Sequence, residues 1–261
     1  MDLKNTFETY LNAPYAESLA KDFEAAVAAL GQEPLPVGSL QEALGAIVSA
    51  RSHMAFARKA GLFLSAVRRR LPADQILDLS VLDEVLLDCV GVFGRNFDLT
   101  VKGNLGAFTG AFMESGTLIV EGDTGDLAGT GMKGGTLHVK GLAENNLGRA
   151  MTGGEILVER NAYDLIGNSM VGGRIVVRGN AGYSAGYRMM GGIIDIRDLA
   201  WDQAGEEMVG GRIQIGGHIG RELGLAMAGG ELALNEKNEG AQRTKASGGK
   251  LVIFKKGKKT A

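Results

Sequence analysis

Apolar and polar positions in the second half of the chain recur with a 19-residue period. Each repeat carries two aliphatic residues, one on each side of a single variable position. The pairs are Leu118/Val120, Leu137/Val139, Ile156/Val158, Ile175/Val177, Ile194/Ile196, Ile213/Ile215, Leu232/Leu234 and Leu251/Ile253. One constant and one variable face indicate a β-strand with one side buried. Leu99 and Val101 fit the same frame, so we predict that the strand series begins near Asp98.

A methionine recurs in the same frame, three residues after a glycine and, in most repeats, two residues before a Gly-Gly pair. The methionines are Met113, Met132, Met151, Met170, Met189, Met208 and Met227. Gly248 and Gly249 continue the series, with Ala246 in the methionine position. We predict an internal methionine stack, because a flexible thioether fills irregular space. No His or Cys accompanies the column, which argues against a metal or cofactor track.

A 19-residue repeat that turns at glycines is too short to contain a helix, and none of its segments shows the apolar period of a helix. Short strands that coil and stack through parallel hydrogen bonds, about 4.8 Å apart, satisfy the pattern. The sequence therefore predicts a mainly β fold, a right-handed parallel β-helix of 19-residue coils over residues 98–254.

Residues 1–72 have a helical pattern instead. Residues 16–30 read as an amphipathic helix, and a capping-box sequence at Ser39 opens further helical pattern as far as Leu71. Arg68, Arg69 and Arg70 stand at its end, where cations favour the helix dipole. We interpret them as a solvated helix end; an acidic or phosphate-bearing partner is the alternative.

Residues 73–97 form a predicted transition and cap. A first strand is expected near 76–79, and the apolar run 81–90 is expected to cover the open end of the β-helix. The N-terminal helices either serve the same purpose or carry an assembly surface. The basic tail, 255–261, is expected to be a solvated terminus.

Charge excludes several classes of function. The chain has 28 basic and 30 acidic residues, so we expect no nucleic-acid partner and no membrane association. The first residues lack the apolar core of a signal peptide, and there is one cysteine, Cys89. These observations predict a cytoplasmic protein. Cys89 lies in an apolar run and is expected to be a buried, inert thiol.

A search for chemistry returns few candidates. The glycine clusters are not followed by helices, which excludes a dinucleotide or phosphate loop. His53, His138 and His218 are far apart in the sequence and have no metal-ligand company. Acidic residues recur in one outward column; they are Asp126, Asp164 and Asp202, with Asn145 between the first two. A solvated face is the interpretation we prefer for this column, and a catalytic groove is the alternative. We expect no catalytic, cofactor-binding or metal-binding residue in this chain.

Aromatic and arginine residues gather on one sector of an otherwise small-residue surface. They are Arg149, Tyr163, Tyr183, Tyr187, Arg188 and Trp201. Such residues are enriched at protein interfaces. We predict that this sector contacts a partner protein.

The repeat Gly-x-x-Met-x-Gly-Gly-x-(Ile/Leu)-x-(Val/Ile)-x-Gly-(Asn/Asp)-x-Gly, clearest in 110–125 and 167–182, resembles the GXGXG-repeat β-helix family. Members include the β-helix subunit of formylmethanofuran dehydrogenase and of the formyltransferase-hydrolase complex, and the C-terminal domain of the glutamate synthase large subunit. In these relatives the β-helix acts as a scaffold beside catalytic subunits or domains, so the resemblance supplies no catalytic residue to carry over.

The resemblance implies a non-catalytic subunit of a cytoplasmic multi-subunit enzyme of one-carbon metabolism, within an oxidoreductase or transferase complex. The chain itself is then expected to bind no cofactor, and its partner subunits would carry metal, pterin or flavin. The first alternative is a separately encoded β-helix subunit of a glutamate synthase-like amidotransferase and flavin enzyme. The second is a stand-alone β-helix enzyme.

Overall fold

A computed structural model describes residues 2–32, 35–36, 38–50, 55–71, 75–82, 86–238, 240–241 and 245–254. The predicted basic tail, His53 and the middle of the 81–90 run lie outside these residues.

Four helices are described at the N-terminus: α1 (Leu3–Asn12), α2 (Leu19–Ala29), α3 (Ser39–Ser49) and α4 (Phe56–Arg68). The helix predicted over 16–30 is confirmed as α2, which Ser18 caps by accepting a hydrogen bond from the Lys21 amide. The capping box predicted at Ser39 is wrong. Gly38, with φ 97°, is the N-cap, and the buried Ser39 is the first helical residue. The sequence interpretation did not include α1.

In the described part of the chain, ten strands form one parallel sheet in sequential order. They are β1 (Gln75–Asp78), β2 (Leu99–Lys102), β3 (Thr117–Glu121), β4 (Thr136–Val139), β5 (Glu155–Val158), β6 (Arg174–Val177), β7 (Ile193–Ile196), β8 (Arg212–Ile215), β9 (Glu231–Asn235) and β10 (Lys250–Phe254). From β2 onward the register follows the 19-residue period, as in the pairing of Leu118 with Leu137. This confirms the predicted β-solenoid with an N-terminal helical region.

The methionines are buried, as predicted, and most of them pack under the glycine pair of the next coil. A Cβ placed on Gly173, whose φ is 89°, would lie 2.7 Å from the Cε methyl of Met151. The same contact joins Met170 to Gly192 and recurs along the solenoid. Glycine is needed there for its left-handed backbone and for the space that the methyl group occupies.

The sheet begins at Gln75, before the repeat frame does. Leu77 in β1 pairs with Val101, which is a longer step along the chain than the period that relates the later strands. Residues 86–97 then form a coil stacked on the next one; for example, the Cys89 amide donates to the Ala107 carbonyl at 2.8 Å. Part of the run predicted to cover the open end, Leu87 and Val90, therefore belongs to the core of this first coil.

Helix α4 covers the first coil. Gly61 approaches so closely that a Cβ there would lie 1.7 Å from the Asp88 carbonyl oxygen. The Ser65 hydroxyl donates to the Gly61 carbonyl and accepts a hydrogen bond from the Gly91 amide at 2.8 Å. The helices thus close the N-terminal end of the solenoid.

Arg68 is a correction to the sequence interpretation, which treated it as part of a solvated helix end. Its side chain is buried, and its Nε donates to the Asp98 carbonyl at 2.7 Å. Its guanidinium also stands over the Phe97 ring, 5.6 Å from the centroid. Arg68 therefore fastens α4 to the solenoid, while Arg69 is exposed. The Arg70 guanidinium donates to the Leu30 carbonyl at 2.7 Å.

At the C-terminal end, β10 pairs with β9 on one side only. Ile253 is 39% exposed, although its predecessor in the same inward column, Leu234, is fully buried. No described residue covers this strand from beyond.

Candidate interaction surface

The acidic column is brought together as predicted, and its carboxylates cap the neighbouring coils. Asp126 Oδ1 accepts a hydrogen bond from the Asn145 amide at 2.9 Å, and Asp164 Oδ1 accepts one from the Tyr183 amide at 2.8 Å. Asp202 does the same for the Arg221 amide. Each carboxylate therefore hydrogen-bonds the backbone of the coil that follows, which is a structural use of an outward acid.

Three of the predicted interface residues form an aromatic cleft. Ala162 and Ala181 pair in successive coils, which places Tyr163 beside Gly182 and Gly182 beside Trp201. Tyr163, Tyr183 and Trp201 line a cleft of about 390 Å³ and are 44–51% exposed. The rings of Tyr183 and Trp201 lie 5.6 Å apart at 47°. We call this group the aromatic cleft.

The other predicted interface residues stand apart from the cleft. Arg149 is exposed, and Arg188 holds an ion pair with Glu207 at 2.7 Å, with its guanidinium 4.9 Å from the Tyr187 ring centroid. This ion pair raises the pKa of Arg188. Among the described residues, no ring contact, hydrogen bond or ion pair joins these side chains to those of the aromatic cleft. The predicted sector is therefore divided between the aromatic cleft and residues outside its lining.

Sequence reasoning missed a further surface. Directly after the buried methionine, three consecutive coils expose an apolar side chain: Val171, Met190 and Val209, each about half exposed. Backbone hydrogen bonds join these coils; the Met190 amide, for example, donates to the Met170 carbonyl at 2.8 Å. Ile193, which follows Met190 by three residues in the same coil, is 39% exposed and is counted with them. We call these four residues the apolar strip.

The strip had a signal in the sequence. Its column reads Glu114, Lys133 and Thr152 in the earlier coils and turns apolar only at Val171. Comparing the outward columns one by one would have found it. Exposed apolar residues that cluster, unlike single ones, mark contact sites.

The described histidines and Cys89 lie in three different environments. His138 Nε2 lies 2.8 Å from Glu159 Oε1, so the imidazole is partly buried and hydrogen-bonded rather than a plain surface group. His218 is exposed. Cys89 is buried as predicted, and burial raises the pKa of its thiol to about 12, with the Asp88 carboxylate adding to the shift.

The described residues lack two further features. No group of three or more His, Cys, Asp or Glu side chains is arranged to hold a metal ion. None of the helices described has the length and apolarity needed to cross a membrane.

Fold and surface together define a helix-capped parallel β-solenoid whose exposed features suit contact with another molecule. The family model described as the GXGXG motif matches residues 89–256, more than half of the chain. The chain belongs to the GXGXG motif family. Membership is consistent with a glutamate synthase-like domain. No curated protein matches the chain.

Proposed function

We propose that this chain is a non-catalytic scaffold subunit of a cytoplasmic multi-subunit enzyme of one-carbon metabolism, of the formylmethanofuran dehydrogenase type. It would hold catalytic subunits at a fixed separation, and those subunits would carry the metal, pterin or flavin. The apolar strip is the observation that supports docking. Three half-exposed apolar side chains stand at the same position of consecutive coils, where one partner can cover them together.

The acidic column supports the non-catalytic part of the proposal. Asp126, Asp164 and Asp202 each accept a hydrogen bond from a backbone amide of the next coil. A carboxylate that holds its own scaffold together is poorly suited to proton transfer, because the catalytic geometry would compete with the cap. This column was the catalytic groove considered for a stand-alone β-helix enzyme.

A separately encoded subunit of a glutamate synthase-like amidotransferase and flavin enzyme is the second candidate. Membership of the GXGXG motif family favours it as much as the first, since the repeat specifies the fold and not the complex. Only the partners distinguish the two.

A native pull-down from the cells that produce the chain tests the proposal, with partners identified by mass spectrometry. Partners with a metal, a pterin or an amidohydrolase fold support the one-carbon complex, and a glutaminase with a flavoprotein supports the second candidate. If the chain is recovered alone or only as a homo-oligomer, both scaffold proposals fail.

The strip itself is tested by a double substitution, Val171→Lys with Val209→Lys. Both side chains are about half exposed, so we expect the variant to fold and its recovery of partners to fall at least about tenfold, because two charges would be buried at the contact. The matched control is Lys133→Ala with Thr152→Ala in the polar part of the same column. Equal recovery by both double variants would remove the strip from the interface.

A further inference from the structure

The shape of the aromatic cleft follows from the order of residues along one column. Tyr163 and Trp201 are two coils apart, and Gly182 lies between them. Their attachment points are therefore about 9.6 Å apart, twice the strand spacing. Two aromatic faces that enclose one flat group need about 7 Å, because each face stacks at about 3.5 Å. The spacing of these attachment points leaves room for one planar group above Gly182, with the Tyr183 ring beside Trp201.

Gly182 cannot be replaced without displacing the preceding coil. A Cβ at that position would lie 2.2 Å from Asp164 Oδ1, the oxygen that accepts a hydrogen bond from the Tyr183 amide. Position 182 therefore contributes backbone and no side chain to the lining of the cleft.

The charge of the cleft selects the occupant. Asp164 is the one charged residue in its lining, and no lysine or arginine lines it among the described residues. Asp164 Oδ2 accepts no hydrogen bond from a described residue. Tyr and Trp faces attract cations through the ring quadrupole, and a carboxylate at the same place adds to that attraction. A planar cation matches both the opening and the charge.

Two asparagine side chains in the lining of the cleft can hydrogen-bond the main chain of such an occupant. Asn161 Oδ1 accepts a hydrogen bond from the Asn180 amide, and Asn180 Oδ1 accepts one from the Leu199 amide. Within the part of the chain that the structure describes, the Nδ2 groups of both asparagines donate no hydrogen bond. They are available to carbonyl oxygens of an extended peptide lying across the cleft.

We infer that the aromatic cleft binds an arginine side chain presented by a partner protein, with the guanidinium between Tyr163 and Trp201 and near the Asp164 carboxylate. The inference rests on the proposed docking function, because it assumes a protein partner, and it adds the chemistry of one contact. Arginine, tyrosine and tryptophan are the residues that dominate binding energy at interfaces.

The experiment uses the protein's own fluorophore. Trp201 is the single tryptophan of the chain, so its emission reports on the cleft alone. The full-length chain is titrated with a blocked Gly-Arg-Gly peptide and with the same peptide carrying citrulline, which is flat but uncharged. We expect saturable quenching by the arginine peptide at millimolar concentration, and at least about tenfold weaker binding of the citrulline peptide.

Two variants distinguish the contribution of the aromatic rings from that of the Asp164 carboxylate. Asp164→Asn keeps an acceptor for the Tyr183 amide, as Asn145 shows in the same column by accepting from the Asp164 amide at 3.2 Å. We expect about fivefold weaker arginine binding for Asp164→Asn and about tenfold weaker binding for Tyr163→Ala. Tyr187→Ala, outside the lining of the cleft, is the matched control and should bind normally.

Several results would overturn the inference. They are equal binding of the arginine and citrulline peptides, quenching by cellobiose or maltotriose in place of the peptide, and no saturable change up to about 20 mM peptide, beyond the range of a useful contact. Peptide binding by the isolated chain is independent of the pull-down. If the pull-down recovers no partner but the arginine peptide binds, only the scaffold proposal is refuted. If partners are recovered but the arginine peptide does not bind, only the inference about the cleft is refuted.

Discussion

The two ends of the solenoid differ in how their terminal strands are covered. Each terminal strand has a strand neighbour on one side only, so its other backbone edge and its inward face need a different cover. At the N-terminal end, Leu77 in β1 is fully buried, and α4 packs against the first coil through Gly61. At the C-terminal end, Ile253 in β10 remains 39% exposed. Because each coil is stabilised only by its neighbours, we expect the N-terminal end to be the more stable one and the C-terminal end, which no described residue covers, to be the less stable one.

Breaking the cap should have the largest effect. A side chain at Gly61 would meet the Asp88 carbonyl at 1.7 Å. Moving α4 away would break the hydrogen bonds that the Asp88 amide donates to the Ala57 carbonyl and the Gly91 amide donates to the Ser65 hydroxyl. We expect Gly61→Ala to lower the free energy of unfolding by about 4 kcal/mol, measured by chemical denaturation. Gly45→Ala in α3, where nothing lies within 4 Å of an added Cβ, should instead stabilise by about 0.5–1 kcal/mol.

Cys89 reports on the same junction. It is buried in the first coil, and burial raises the pKa of its thiol to about 12, so at pH 8 it is protonated and shielded. A thiol reagent should label native protein only on opening of the cap, and should label Gly61→Ala faster. Equal labelling of the variant and the native chain would show that α4 does not protect the first coil.

Breaking the methionine stack should cost somewhat less. Met170 is fully buried, and its methyl group occupies the space beneath Gly192. We expect Met170→Ala to lower the free energy of unfolding by about 3 kcal/mol because it leaves a cavity. Met190→Ala, one coil further along and 51% exposed, should change it by less than about 0.5 kcal/mol. Similar losses for the two variants would contradict the internal stack.

The open end should be the least sensitive region. Leu234 and Ile253 occupy the same inward column, but within the described part of the chain only Leu234 is covered by a further coil. We expect Leu234→Ala to cost about 3 kcal/mol and Ile253→Ala about 1 kcal/mol or less in thermal denaturation. A large loss for Ile253→Ala would mean that the C-terminal end is covered after all.

The solenoid could be predicted from the sequence because its constraint is periodic. A single 19-residue register fixes which face of every strand is buried, and Leu118, Leu137 and Ile156 then follow without knowledge of any distant contact. The junction with the helices has no such period. The burial of Arg68 and the close approach of Gly61 depend on where α4 lands on the first coil, which local pattern does not encode.

The candidate surfaces were predictable in part for a related reason. Tyr163, Tyr183 and Trp201 stand out from small neighbours, so composition alone marked the aromatic cleft. Their separation from Arg149 depends on the path of the chain round one coil, which the repeat does not reveal. Val171 and Val209 are ordinary residues, and only their exposure in the folded coil makes the apolar strip visible.

Hydrogen–deuterium exchange of the chain, alone and in the complex recovered from cells, tests the docking claim most directly. The account predicts slower exchange on binding at 171–174, 190–193 and 209–212, the segments around the apolar strip, with the N-terminal helices unchanged. Protection confined to the helices, with these three segments exchanging as in the free chain, would contradict it and would place the assembly surface on the helical region.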